Sequence, residues 1–345
     1  MRRKLLLLAA TLALCVVCCE AIVRIALPQD LSGTWRTRDA YGIFVNKSNH
    51  TSRHQFEDTV VHYTFDTDGY RTAGEDNGGR RILITGDSFT FGWLLNDNET
   101  FHCLLQRKVD HEFGAGQFHL VNGGHGGWGT DDYVRYVETR PPAQWQAVIA
   151  FVNGDDFRRA RKSPVYQMRS GEIQVGEARA DSSAKRLLNA MPGYQWCLEH
   201  SHLVQLARRA FLSSSSNRSA SSPRELDRGV QESPDLQYPK ALFRRLAKTC
   251  LDRDMDLMVL TTGCFDTLMK TDPQIRAFTA QAADFFSDLQ VPFFDLNPIC
   301  RPKFSNDQDG KWGIEGDGHP SPHAAEVIAD AAWPPIRDFL HNIDR

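Results

Sequence analysis

Several things that mark other protein classes are missing from this chain. Five of its eight cysteines (Cys103, Cys197, Cys250, Cys264 and Cys300) lie beyond the amino-terminal segment, and they form no CxxC pair and share no metal-ligand spacing with histidine. A structural zinc site is therefore set aside. Five is an odd number, so one or two disulfides, or small buried hydrophobes, both fit. No basic stripe stands out and the formal net charge is −3, which removes the electrostatic footprint of a nucleic-acid binder. There is no internal repeat. The 345 residues, 41% hydrophobic and 24% charged, are thus read as one large α/β domain with an insertion rather than as two domains.

The amino terminus has a basic start, Met1-Arg2-Arg3-Lys4, then an uncharged run over residues 5–19 that stops at Glu20. That is the order of an export signal. The run falls short of the about 20 apolar residues of a membrane crossing, yet AIVRIALP extends it past Glu20 and no small-x-small cleavage site follows. Residues 1–29 fit a cleaved signal peptide or an uncleaved signal anchor. The basic end faces the cytoplasm and the rest lies outside it, held in the periplasm or at the cell surface by an anchor, or secreted if the segment is cleaved. Leu12-Ala13-Leu14-Cys15 half-resembles a lipobox, but Leu14 is too bulky where a small residue is expected. Sequons at Asn46, Asn49, Asn98 and Asn217 fit an exported chain.

Residues 30–78 are polar and turn-rich, with YTFDTDGYRT turning at Asp68-Gly69. From residue 79 short apolar runs alternate with amphipathic stretches. The runs are ILIT (82–85), FHLVN (118–122), AVIAFVN (147–153), LMVLTT (257–262) and VPFFDL (291–296). Between them, ETFHCLLQRKV, DDYVRYV and YPKALFRRLAKTCL repeat apolar residues every three or four positions. Strands buried on both faces and separated by helices predict a parallel sheet covered on each side. An insertion over about residues 158–235 interrupts the pattern. It contains LLNAMPGYQWCLEHSHLVQLARRAFL, expected as a cap or lid, and the Ser-rich run 213–223, expected as a mobile loop.

Four segments put glycine or polar residues where such strands end, which is where ligands meet open parallel sheets. After ILIT comes Gly86-Asp87-Ser88: a serine at a strand-to-helix turn can expose its hydroxyl and offer its own N–H to an oxyanion, though Asp and Ser also simply cap helices. After FHLV comes NGGHGGWGT (122–130), whose glycines allow backbone N–H groups to face a developing negative charge. The third is Asn153-Gly154-Asp155-Asp156, where an amide could add an oxyanion donor or the acids could cap a helix. The fourth is DGHPSPHAAE. There Ser321 as cap and Pro322 at the first helical position start a helix and fix the turn carrying His319. An Asp two residues before a His can hold the imidazole Nδ1–H while Nε2 takes a serine proton.

In this order GDSFTFG, NGGHGGWGT, NGDDF and DGHPSPHAAE resemble the four blocks of SGNH hydrolases, also called GDSL-type esterases. The resemblance covers about residues 63–340, since DTDGYR and ETFHCLL look like the approach segments of membrane-anchored bacterial members. It implies a flavodoxin-like three-layer α/β/α sandwich with a parallel sheet, and no metal or organic cofactor. It also implies roles: Ser88 as nucleophile and first oxyanion donor, Gly127 as second donor, His319 as general base and then acid, and Asp317 as its orienter. Many members put the acid three residues before the histidine, here Gly316. Asp317 at two is similar to the D-x-H variant of polysaccharide acetyl-transfer members, with Glu315 as a fallback. The third block usually reads Gly-Asn-Asp, whereas here Asp155 takes the place of the oxyanion-holding asparagine. A protonated Asp155, Asn153 two residues earlier, or a slow or inactive enzyme are the open alternatives.

The expected function is a serine esterase acting through an acyl-Ser88 intermediate on a small-molecule or carbohydrate acyl ester, tethered to the membrane by its amino-terminal segment. An O-acyltransferase of extracellular polysaccharide would use the same residues, and a catalytically weakened glycan-binding envelope protein would use the same cleft. Trp93 and Trp128, beside the first two blocks, could stack on a sugar or pack in the core.

Overall fold

The computed structural model describes residues 2–72, 78–141, 144–163, 165–169, 172–176, 183–216, 236–262, 273–305 and 312–343. It opens with helix α1 (Arg2–Ala26), followed by two antiparallel pairs, β1 (Arg36–Arg38) with β2 (Phe44–Asn46) and β3 (His50–Phe56) with β4 (Thr59–Phe65). The stretch anticipated as a polar extension is thus largely hairpin. Then come β5 (Arg80–Thr85), α2 (Ser88–Phe91), α3 (Phe101–Phe113), β6 (Phe118–Asn122), α4 (Thr130–Thr139), β7 (Ala147–Val152) and α5 (Gly154–Lys162). The insertion holds a hairpin of β8 (Tyr166–Arg169) and β9 (Glu172–Val175) and helices α6 (Ser183–Ala190), α7 (Tyr194–His200) and α8 (His202–Ser216). Of the Ser-rich run 213–223 expected as a loop, residues 213–216 form the last turn of α8, and the rest lies outside the described residues. Helix α9 (Gln237–Asp252), β10 (Asp256–Thr261), a helix Pro273–Asp288, β11 (Phe293–Phe294), a helix Asn297–Ser305 and a C-terminal helix Pro322–Ile343 complete the chain.

All five anticipated strands join one parallel sheet in the order β6-β5-β7-β10-β11. Numbered along the chain this is 2-1-3-4-5, the flavodoxin-like order. Alternate residues of each strand serve opposite faces. Val148, Ala150 and Val152 pack with Val134, Val137, Leu242, Phe243 and Phe286. Ala147, Ile149 and Phe151 pack with Leu105, Val109, Ile328 and Ile336. Both faces are covered, so the strands read as continuous apolar runs, and the α/β three-layer expectation holds.

An edge strand needs partners for its outer backbone groups. Helix α3 supplies them to β6: Gln106 accepts from Leu120 N–H (2.7 Å) and donates to Phe118 C=O (3.1 Å), while His102, one turn earlier, donates from Nε2 to Leu120 C=O (2.8 Å). Desolvation by complete burial lowers the His102 pKa from 6.5 to about 4. Below pH 6.5 the unfolded chain therefore binds a proton that the folded chain refuses. The stability is fully present above that value and falls as pH drops toward 4, by about 3 kcal/mol at 1.36 kcal/mol per unit. His102→Gln, which keeps the donor without the titration, is expected to flatten this part of the pH dependence of the urea midpoint.

The chain divides into two compact units: residues 1–34, 52–61 and 182–232, and the remainder, which holds the sheet. Within the first, α1 is long and apolar enough to cross a membrane. Residues 2–19 are exposed. Near its end, the Glu20 carboxylate accepts from Ser201 Oγ (2.8 Å), His202 N–H (3.0 Å) and Leu203 N–H (2.9 Å). The start of α8 is thereby capped twice, by its neighbour Ser201, whose Oγ accepts the Val204 N–H at 3.2 Å, and by Glu20 of α1. Arg24 donates to both Glu20 and the His200 C=O.

Candidate active site

Strands β6, β5 and β7 are neighbours and parallel, so the loops that follow them share one edge of the sheet. The crossover from β6 to β7 passes over β5, which makes the end of β5 the point where strand order reverses and ligands bind. Ser88 is there. Asp87 caps α2 by accepting the Phe89 N–H at 2.9 Å, as its residue type suggests, and α2 ends after one turn at Gly92 in the left-handed region.

The turn carrying His319 is a tight hairpin: Ile314 N–H donates to His319 C=O, Gly318 N–H to Ile314 C=O, and Ser321 N–H to Trp312 C=O. Ser321 Oγ then caps the C-terminal helix at Ala324 N–H, with Pro322 first in that helix. This delivers His319 Nε2 to 2.9 Å from Ser88 Oγ. On the other side of the ring, Nδ1 bonds Asp317 Oδ2, and the His319 N–H donates to the same oxygen at 3.3 Å. A carboxylate accepts only, so the ring proton sits on Nδ1 and Nε2 is left to accept the Ser88 hydroxyl. Burial alone would raise the Asp317 carboxyl, but hydrogen bonds from the His319 ring and backbone and from Trp93 outweigh it and hold the pKa below its ordinary value. Asp317, rather than the exposed Glu315, is the acid against the histidine.

Neither the Ser88 N–H nor the Gly127 N–H has an acceptor among the described residues. Gly127 is exposed at φ +89°, a conformation that side chains disfavour. Asn153 stands 4% exposed at the end of β7, its N–H donating to Asp156 Oδ2 at 2.8 Å. The Asp156 acid is therefore a helix cap. The side chain of Asp155 lies outside the described residues. Trp128 is a core residue, 2% exposed, with its indole N–H on the Phe44 C=O. Trp93 is half-buried, its ring 5.5 Å from that of His319.

Three arginines escaped the sequence reading. Arg159 bonds the buried Asp87 at 3.0 Å and the Trp128 C=O at 3.1 Å, tying the serine turn to the glycine loop. Arg71, with a fully buried side chain, pairs with Asp97 at 2.8 Å and donates to the carbonyls of Phe91 (2.7 Å), Gly92 (2.6 Å) and Leu95. It satisfies the carbonyls that α2 leaves open. Arg36 lies against Trp93. The contacts of Arg159 with Asp87 and Trp128, of Arg71 with residues 91–97 and of Arg36 with Trp93 join residues far apart in sequence, and no local pattern announces them.

Among the described residues no cluster of three or more His, Cys, Asp or Glu is placed to hold a metal ion. Cys103, Cys250 and Cys300 are buried thiols, and Cys264 lies outside the described residues. A cavity of about 350 Å³ lined by Asn46, Tyr70, His125, Trp128 and Tyr136 contains neither Ser88 nor His319.

The sequence profile of the GDSL-like lipase/acylhydrolase family matches residues 84–327, which include every block above. The chain belongs to the GDSL-like lipase/acylhydrolase family. It is accordingly an enzyme that hydrolyses ester bonds. Solved structures similar to this family member include TesA (13% identity, 75% of this chain and 99% of that one, TM-score 0.42). Two others are the psychrotrophic esterase EstA from Pseudoalteromonas sp. (14%, 76% and 99%, 0.41) and an acetyl xylan esterase from Geobacillus stearothermophilus (14%, 77% and 96%, 0.43). No curated protein matches this GDSL-like hydrolase in sequence.

Proposed function

We propose that this hydrolase is a serine esterase that removes an O-acyl group from a carbohydrate or a simple alcohol. The observation that carries the reading is the relay Asp317–His319–Ser88, with Nε2 at 2.9 Å from Oγ. In the first half-reaction Ser88 Oγ attacks the acyl carbon while its proton passes to His319 Nε2. The oxyanion accepts from the Ser88 and Gly127 N–H groups, with the Asn153 amide as a third donor. The bond to the alcohol then breaks as Nε2–H returns its proton to the leaving oxygen, which leaves acyl-Ser88. Water repeats the sequence, giving its proton to Nε2 and its hydroxyl to the acyl carbon, and the acid departs.

The test is intact-mass analysis of the full-length protein in detergent after exposure to a fluorophosphonate, followed by assay on acetylated sugars. One adduct, on Ser88, with release of acetate is expected. A folded protein that gains no mass overturns the reading.

We also infer that α1 is an uncleaved anchor, leaving the sheet outside the cytoplasm. At 1.5 Å per residue its 25 residues span about 37 Å, enough for a bilayer core of about 30 Å. The bonds from Glu20 to α8 support retention, because cleavage would take away the acceptor of the His202 and Leu203 N–H groups. The protein is expected to stay with membranes through alkaline carbonate washing at its full mass. Glu20→Ala is expected to destabilise the first unit by about 0.5 to 2 kcal/mol, the range for a lost cap, read as earlier proteolysis within residues 183–216.

A further inference from the structure

Other inward-turned arginines among the described residues have acidic or carbonyl partners: Arg71 has Asp97, Arg159 has Asp87, Arg245 has Glu138, and Arg253 donates to the carbonyls of Val137, Glu138 and Arg140. Arg36 has neither. Its guanidinium lies over the rings of Trp93 (5.1 Å) and Trp35 (5.8 Å), and none of the described residues gives it a hydrogen bond or an ion pair. The backbone of Gly126 runs so close that a Cβ there would stand 2.6 Å from Arg36 Nη2 and 3.0 Å from the Trp93 ring. Desolvation, joined by the nearby Arg159 charge, pushes the Arg36 pKa below its ordinary value. A desolvated guanidinium without an anion is costly to hold, and a ligand can supply what the protein withholds.

The position says which part of the ligand. Trp93 touches Arg36 on one side and stands 5.5 Å from the His319 ring on the other, so at most about 11 Å separates the guanidinium carbon from the imidazole centre. In the proposed reaction His319 returns its proton to the leaving alcohol, so the alcohol lies on this side of Ser88. The Arg fork matches carboxylate and phosphate oxygens, and the indole face beside it suits a sugar ring. Resting on the esterase reading, we propose that Arg36 binds an anionic oxygen group, a carboxylate or a phosphate, on the alcohol portion of the substrate, with Trp93 as the face under the ring that carries it. The preferred substrate is then an O-acylated acidic sugar or sugar phosphate rather than a neutral one.

The test compares methyl glucuronoside, glucose 6-phosphate and methyl glucoside as ligands of the full-length protein in detergent, by calorimetry, and their O-acetyl forms as substrates. At least one anionic ligand is expected to bind tenfold or more tighter than methyl glucoside, with a preference that shrinks as salt is raised. The relative strength of the two tells carboxylate from phosphate. In Arg36→Gln the anionic-to-neutral ratio is expected to collapse toward one, chiefly through KM where turnover is measured, and Arg36→Lys is expected to restore part of it. Equal binding of charged and neutral ligands by the wild type overturns the proposal without any variant, as does a preference that survives Arg36→Gln. Absence of turnover on every acetyl ester would count against the esterase reading, while the binding arm would still decide the role of Arg36.

Discussion

Ser88→Ala is expected to lower ester turnover by about 10⁵- to 10⁶-fold and to abolish the fluorophosphonate adduct, because the removed hydroxyl is the only atom in the relay that can bond the acyl carbon. His319→Ala should cost about as much, since without an acceptor at 2.9 Å the Ser88 proton has nowhere to go. The double variant should be little worse than either alone, as the two act as one unit. Asp317→Asn is expected to lose about 10⁴-fold: an amide can donate to the ring nitrogen and favour the wrong tautomer. The pH dependence carries a sign. The Asp317 carboxyl is held below its ordinary 3.8, so its contribution to the folded site is present above that value and is lost only as pH falls through the lower folded value. Acid inactivation of wild type at pH 5 would therefore not arise from this carboxyl. Stopped assays on a soluble acetyl ester, with folding checked by circular dichroism, decide all of these points.

The largest effect on stability is expected at Arg71. Arg71→Met removes a fully buried cation, leaves Asp97 without its ion-pair partner, and takes a donor from the carbonyls of Phe91, Gly92 and Leu95, of which Gly92 keeps the Leu95 N–H. Breaking a buried pair by removing one partner costs about 3 to 5 kcal/mol. Arg71→Lys keeps the charge but loses the fork, so one ammonium must choose among four acceptors, and an intermediate loss is expected. Urea midpoints of the three proteins test the order. Activity should fall together with stability, because the open carbonyls belong to the turn and short helix that present Ser88. A midpoint for Arg71→Met equal to wild type would show that this network contributes nothing net.

The contrast between Ser88 and Arg71 also marks how far local sequence reaches. Strands β5, β6, β7 and β10 were legible because each is buried on both faces, so an apolar run, flanked by glycine or polar residues, states both the strand and its carboxyl end. The serine and histidine turns were legible for the same reason: Asp87, Ser321 and Pro322 are helix-start residues, and their capping is a local event. Arg71 and Arg36 lie in a stretch whose charge and turns suggested solvent. Their side chains turn inward only because aromatic rings and open carbonyls arrive from residues 91–97 and from Trp93, contacts that no periodicity encodes. Glu20 misled in a similar way. A charge that ends an apolar run reads as a boundary, yet here it caps a helix some 180 positions further on.

Ser88 and His319 stand 231 residues apart, and at about 5 to 20 residues per second the ribosome makes the serine roughly 10 to 50 s before the histidine. The C-terminal helix that anchors the histidine turn comes later still. Throughout that interval the nascent chain has a hydroxyl with no base beside it. With Ser88 and His319 in the roles proposed above, synthesis order acts as a safety catch: esters are not cleaved until the segment carrying His319 has been made and has folded back against the sheet.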